Sequence, residues 1–166
     1  ARLLRFGAEA ESFGSDHPFS GEFLTQLGRL VPAAWVGYTE CSDDGSGHVL
    51  GLGFERPGDE GSYDGVDFAA LVECPLFPRI WQSSRAVVKL SDVVSRRELS
   101  RTPTYKLVLE PFGIKDTLDL LIRSGSPRRI GKFGFDRIGR DFTARDRAVL
   151  DALNPHLVQL LRAGEA

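Results

Sequence analysis

Methionine is absent from all 166 residues, and only two cysteines and three histidines are present. Cys41 and Cys74 are too few for a disulfide framework and too far apart for a Cys-x-x-Cys redox pair or a metal knuckle, so both are expected to stay reduced. His17, His48 and His156 are never four residues apart and never alternate along a strand with a carboxylate or cysteine; no metal is expected. No apolar run exceeds about six residues, well short of the roughly 20 of a membrane-spanning helix, and no charged-then-apolar leader opens the chain. These absences predict a cytoplasmic protein with no membrane contact. Without methionine, Ala1 does not read as a translation start, and the chain is expected to be a piece of a longer protein.

Excess charge of either sign is missing as well. Lys and Arg number 21 against 23 Asp and Glu, a formal net charge of -2, so there is no basic face to neutralise phosphates and this piece is not expected to grip nucleic acid. Within the cluster Arg96, Arg97 and Arg101, the last two share a helix face, which reads as a solvated surface. No GxSxG elbow occurs, and Asp43 and Asp44 lack the rest of a calcium loop. Gly51 and Gly53 begin a GxGxxG pattern that fails at Arg56, and they lie in a strand pattern. Close approach of neighbouring layers is the better role for them, and for Gly37, Gly131 and Gly134. Glu55, Asp59, Glu60 and Asp64 lie in a glycine-rich stretch where carboxylates are usually solvated. There is no credible catalytic set; the chain is expected to be no enzyme and to need no cofactor.

What is present describes one ordinary globular domain, 42% hydrophobic and 27% charged, large enough to bury a core without staples. Residues 1–15 mix Gly, Ser and charge and read as a short arm, with the domain running over 16–166. Phe19, Phe23, Leu27 and Leu30 repeat at helical spacing up to Pro32 and predict the first helix. Aromatic and β-branched residues over 34–41 and the run 48–55 predict a hairpin. A short helix is expected near 68–73, a strand over 86–90, two short helices over 96–109 broken near Thr102, and strands over 118–122 and 130–135. Ser95 with Glu98 has capping-box spacing, and Thr102 before Pro103 has that of an N-cap with proline at the first helical position. At the end, Thr143 and Asp146 repeat the box before Leu150, Leu153, Leu157 and Leu160, a stripe that serves either the domain's own sheet or a second subunit. Pro155 inside it predicts a kink or break near Asn154. Hairpins at both ends imply an α+β fold with a mainly antiparallel sheet of about five strands.

Three stretches carry a resemblance: RDFTARDRAVLDALNPHLVQLLRA from Arg140, FLTQLGRLVPAAWVGYTE from Phe23, and LSDVVSRRELSRTPTYKLVLEPFGIKD from Leu90. Together they resemble the GAF-like sensory domain of LuxR-type helix-turn-helix transcriptional regulators of the actinobacterial kind. The resemblance implies first and last helices on one sheet face and short helices on the other, where a ligand is enclosed. It also implies a DNA-binding domain beyond Ala166, which is then the only route to DNA, and a homodimer. One departure stands at Cys74-Pro75-Leu76, where the resembled sensors often have histidine before Pro-Leu.

On this reading the aromatic residues of the irregular excursions, Phe68, Phe77, Trp81 and Tyr105, with Phe54 as floor and Cys74 beside them, are the expected contacts for an unknown small-molecule effector. Leu150, Leu153, Leu157 and Leu160 are the expected dimer interface. Two alternatives stay open: a pure dimerisation module with a vestigial pocket, and a small redox or hydrolytic enzyme with Cys41 and Cys74 adjacent or carboxylates converging.

Overall fold

Every strand of the sheet runs antiparallel to its neighbours, as two hairpins joined through their inner strands require. The computed structural model describes residues 3–6, 19, 21–41, 47–54, 76–125 and 130–165. In chain order the elements are β1 (Leu3–Phe6), α1 (Gly21–Leu30), β2 (Trp35–Cys41), β3 (Gly47–Phe54), α2 (Leu76–Trp81), β4 (Val87–Lys89), α3 (Leu90–Val93), α4 (Arg96–Leu99), a π-helical turn (Tyr105–Leu109), β5 (Ile114–Arg123), β6 (Ile130–Ile138) and α5 (Ala144–Glu165). The six strands lie in the order β1-β3-β2-β6-β5-β4.

The sixth strand is a correction to the sequence reading. Residues 3–6 of the expected arm pair with β3, Leu3 opposite Phe54 and Phe6 opposite Gly51. The α+β class stands. The expected helix near 68–73 lies outside the described residues, and α2, with proline at its third position, is a helix the sequence did not announce.

Alternation in the strands splits the core into two layers. Val36 and Tyr38 of β2, Leu118, Leu120 and Ile122 of β5, and Phe133 and Phe135 of β6 pack with α1 and α5. Trp35, Val88 and Leu121 point the other way and pack with the short middle helices through Ile80, Leu90, Val94, Leu99, Val108 and Leu109. First and last helices therefore share one face, as the resemblance implies. In the first layer Phe19, Tyr38 and Phe133 form a ring cluster with centroids 4.8–4.9 Å apart. Gly131 makes room for it, since a Cβ there would stand 2.6 Å from Tyr38 Oη.

The capping chemistry read from the sequence is present at all three places. The Asp146 amide donates to Thr143 Oγ1 at 3.3 Å while the Thr143 amide donates to the Asp146 carboxylate at 2.7 Å. The Glu98 amide donates to Ser95 Oγ, and the Tyr105 amide to Thr102 Oγ1. The turn after Thr102 is nevertheless π-helical, closed by the Glu110 amide donating to the Tyr105 carbonyl.

α5 runs unbroken through Pro155, so that of the kink or break expected near Asn154 the break does not occur. Pro155 and Asp151 are both exposed, where water can serve the carbonyl that loses its donor. The helix is fastened to the domain along its length. Arg147 Nη2 donates to both carboxylate oxygens of Asp92 in α3, at 2.7 and 2.9 Å. Asn154 Nδ2 donates to the Leu121 carbonyl of β5 at 2.9 Å, and Arg162 Nε donates to the Ser124 carbonyl.

Candidate ligand-binding face

Strand register sets one row of residues across the middle-helix face. Val88 stands opposite Asp119, Asp119 opposite Gly134, Gly134 opposite Gly37, and Gly37 opposite Gly51. Three neighbouring strands thus carry no Cβ along that row, and the sequence reading of these glycines as close-approach positions gains a common location. The rows on either side hold Lys132 and Thr39, which face one another, and Asp136 and Trp35, which do the same.

Asp119 and Lys132 are both buried, on the face that carries the second apolar layer. Lys132 Nζ stands 3.7 Å from Asp119 Oδ1. The carboxylate leans over β6, where a Cβ on residue 134 would stand 3.2 Å from Oδ1. Lys132 Nζ is also 5.8 Å from the centre of the Trp81 ring, within cation–π range. Trp81 is held by Arg123 of β5, whose Nη2 donates to the Trp81 and Ser83 carbonyls at 3.0 and 2.7 Å. Tyr105 packs against the same apolar cluster, half-buried.

Burial pushes the Asp119 carboxyl above the ordinary carboxylate range, Lys132 pulls against that shift, and Asp116 adds to it. Three other carboxylates behave oppositely. Partial burial would raise Asp92, Asp141 and Asp146, but hydrogen bonds from Arg147, Lys89 and Arg137 respectively, together with backbone amide donors and the attraction of nearby cations, outweigh it and hold all three low. The linkage signs follow. Asp119 contributes stability that is present below its unfolded value and lost as pH rises through its folded one. The other three contribute stability present above the unfolded value and lost as pH falls. Asp119→Asn should therefore make the gain in stability from about pH 3 to about pH 7 steeper than in the parent, as followed by urea denaturation at stepped pH. An unaltered profile would mean that Asp119 titrates as an ordinary carboxyl.

Of the residues expected from sequence to meet a ligand, the structure brings Trp81 and Tyr105 to this face. Phe54 closes β3 opposite Leu3, and Phe77 is in α2, but neither side chain is among those described. Phe68 and Cys74 lie outside the described residues. Asp119 and Lys132 went unread, because each alone is an unremarked polar position in an apolar strand. The expected interface leucines divide too. Leu150 and Leu157 are 0% and 2% exposed inside the subunit's own core and Leu153 is packed against it, which leaves Leu160, at 42%, to face outward. Among the described residues no group of His, Cys, Asp and Glu could hold a metal ion, and no helix is long and apolar enough to cross a membrane.

No family model matches the chain, and no curated protein sequence does. Solved structures do match it over nearly its whole length. The ligand-binding domain (LBD) of VqsR from Pseudomonas aeruginosa is similar with a TM-score of 0.62 at 22% identity, covering 96% of this chain and 97% of that one. The fold is GAF-like. Further GAF structures agree with that assignment. A GAF domain/HD domain protein from Geobacter sulfurreducens aligns with a TM-score of 0.60 at 13% identity, over 94% of this chain and 97% of that one. The GAF domain of a two-component sensor histidine kinase from Bacillus halodurans aligns with a TM-score of 0.53 at 17% identity, over 92% and 97%. In this GAF-like domain the glycine row and the Asp119–Lys132 pair lie on the sheet face away from the terminal helix.

Proposed function

We propose that this GAF-like domain is the sensory half of a LuxR-type transcriptional regulator, binding a small-molecule effector without catalysis and controlling a DNA-binding domain attached beyond α5. The buried Asp119–Lys132 pair beside a glycine row is the observation that carries the reading, because buried ionisable side chains gathered on one face of a core mark functional sites. The similarity to the VqsR ligand-binding domain, which belongs to a LuxR-type regulator, supports it. The regulator acts in the cytoplasm as a homodimer. Exposed Leu160 of α5 and Leu30 at the end of α1 are the apolar side chains offered to the second subunit.

Output follows from the fastenings of α5. The Leu121 side chain belongs to the effector-side layer while its carbonyl accepts from Asn154, and Asp92 of α3, the helix that supplies Leu90 to that layer, is paired with Arg147. An effector that favours one arrangement of the middle helices changes the docking of α5 by its differential affinity for the two arrangements. Hydrogen exchange tests this: an effector found by thermal-shift screening should alter protection of the α5 amides as well as those of β5 and β6. Protection changes confined to the sheet and middle helices would remove the regulatory reading.

Net charge gives a second expectation. With -2 overall, the domain by itself should show no salt-dependent binding to duplex DNA. Submicromolar affinity at moderate salt, measured by fluorescence anisotropy, would place a DNA reader in this piece.

A further inference from the structure

Two carboxylates beside β4 each serve two segments at once. Asp92 Oδ2 accepts from the Lys89 amide at 2.8 Å, closing the first turn of α3, and from Arg147 Nη2 of α5 at 2.7 Å. Asp141 does the converse. Its Oδ1 accepts from the Phe142 amide at 2.7 Å, shaping the entry to α5, while its Oδ2 accepts from Lys89 Nζ at 2.6 Å. Each segment's turn is thus closed by a carboxylate that a cation of the other segment grips. Two further charges attend the pairs. Asp116 Oδ2 stands 3.6 Å from Lys89 Nζ while its Oδ1 accepts from the Ser91 and Thr117 amides, and Lys115 adds its attraction to Asp141.

α5 and the middle helices pack on opposite faces of the sheet, and β4 is its last strand, so the two layers meet around that edge. α3 follows β4 without a break and sends Leu90 into the middle layer, where Val94 just beyond it is buried too. α2 is joined to it, with Arg79 Nη1 donating to the Val93 carbonyl at 3.4 Å. Because each carboxylate serves both segments, the α3 turn and the α5 entry gain and lose these contacts together. Shared contacts of that kind are a coupling free energy between two places.

We propose that the crossed ion pairs Lys89–Asp141 and Asp92–Arg147 form a clasp that ties the middle-helix layer to the root of α5, so that α3 and the α5 entry open as one unit. The proposal rests on the sensory reading for its use, and it names the regulation of that site: a shift of α3 is felt at α5 through the clasp rather than through the Leu121 carbonyl that Asn154 holds.

Amide exchange followed by NMR tests it on the chain alone. Val94, whose amide donates to the Leu90 carbonyl, reports on α3, and Phe142 reports on the α5 entry. Asp141→Asn keeps an acceptor for the Phe142 amide and leaves Lys89 beside Asp116, yet it should speed exchange at Val94 about threefold, as the loss of a partly exposed ion pair allows. Asp92→Asn keeps an acceptor for the Lys89 amide and leaves Arg147, 28% exposed, to water, yet it should speed exchange at Phe142 by about the same factor. Arg147→Met severs that pair from the other side and serves if Asp92→Asn does not fold. Ile80→Val, a methyl taken from the middle layer, should speed exchange at Phe142 in the parent and not in Asp92→Asn/Asp141→Asn, where the clasp is gone. Changes confined to the substituted segment, or an Ile80→Val effect at Phe142 that persists in the double variant, overturn the proposal and assign the transmission to the sheet. Either result leaves the sensory reading standing, since that reading fails only when α5 protection ignores an effector that binds.

Discussion

Arg137→Ala is expected to cost the domain about 3–5 kcal/mol, a large share of the roughly 5–15 kcal/mol that holds a typical domain folded. Arg137 is 5% exposed and joins three segments. Its Nε donates to the Pro32 carbonyl at 2.8 Å, and its Nη1 to the Asp141 carbonyl at 3.2 Å and the Asp146 carboxylate at 2.9 Å. The guanidinium also lies 4.4 Å from the centre of the Phe142 ring. Alanine leaves the Asp146 charge buried beside two carbonyls that have lost their donor, the situation in which breaking a pair costs more than the pair was worth. The double variant Arg137→Met/Asp146→Asn removes both charges, keeps an acceptor for the Thr143 amide, and should recover about 1–2 kcal/mol of the loss. Urea denaturation measures both. A single-variant loss under about 1 kcal/mol would mean that water reaches Asp146 and replaces the arginine.

Leu157 and Leu160 should respond oppositely although they are neighbours on one helix. Leu157 is inside the layer formed with Leu118, Leu120 and Phe133, so Leu157→Ala should lose about 2–5 kcal/mol through transfer and cavity terms. Leu160 faces outward, so Leu160→Glu should change stability by no more than about 0.5 kcal/mol while converting the proposed homodimer to monomer in sedimentation. Dimerisation unaffected by Leu160→Glu would move the interface off α5. Disruption by Leu157→Ala alone, without loss of stability, would contradict its place in the core.

Local chemistry was legible in the sequence wherever a few adjacent residues settle the outcome. The caps at Ser95, Thr102 and Thr143 need only a hydroxyl and an amide three residues on, and all three formed. The α+β class and the two-faced sheet followed from hairpin order and alternation. The leucine stripe of α5 showed that the helix packs, but a stripe carries no record of what it packs against. Its side was decided by the aromatic and aliphatic face of β5 and β6. β1 stayed hidden because four residues, LLRF, become a strand only by pairing with β3, far away in the chain. Asp119 and Lys132 were illegible as a pair for the same reason, since registers of Asp119 with Gly134 and Leu121 with Lys132 place them together, and register is a property of two strands. The glycines were read singly as close-approach points, and only pairing aligns three of them in one row.

Pro155 comes immediately after the residue that pins α5 to the sheet. Asn154 holds the helix at the Leu121 carbonyl, and the next residue lacks the amide that would have stiffened that turn. The ten residues from Pro155 to Gly164 beyond the pin span about 15 Å. A tilt of about 10° at the pin would carry the tip through about 3 Å. Arg162, bonded to the Ser124 carbonyl beside Gly125, and the buried side chains of Leu157 and Leu161 are the contacts that such a tilt would strain. The helix is thus held at its root by Thr143, Asp146 and Arg147 and beyond the pin by Leu157 and Leu161 in the core, so that a rearrangement of the sheet beneath it would bear on both stretches.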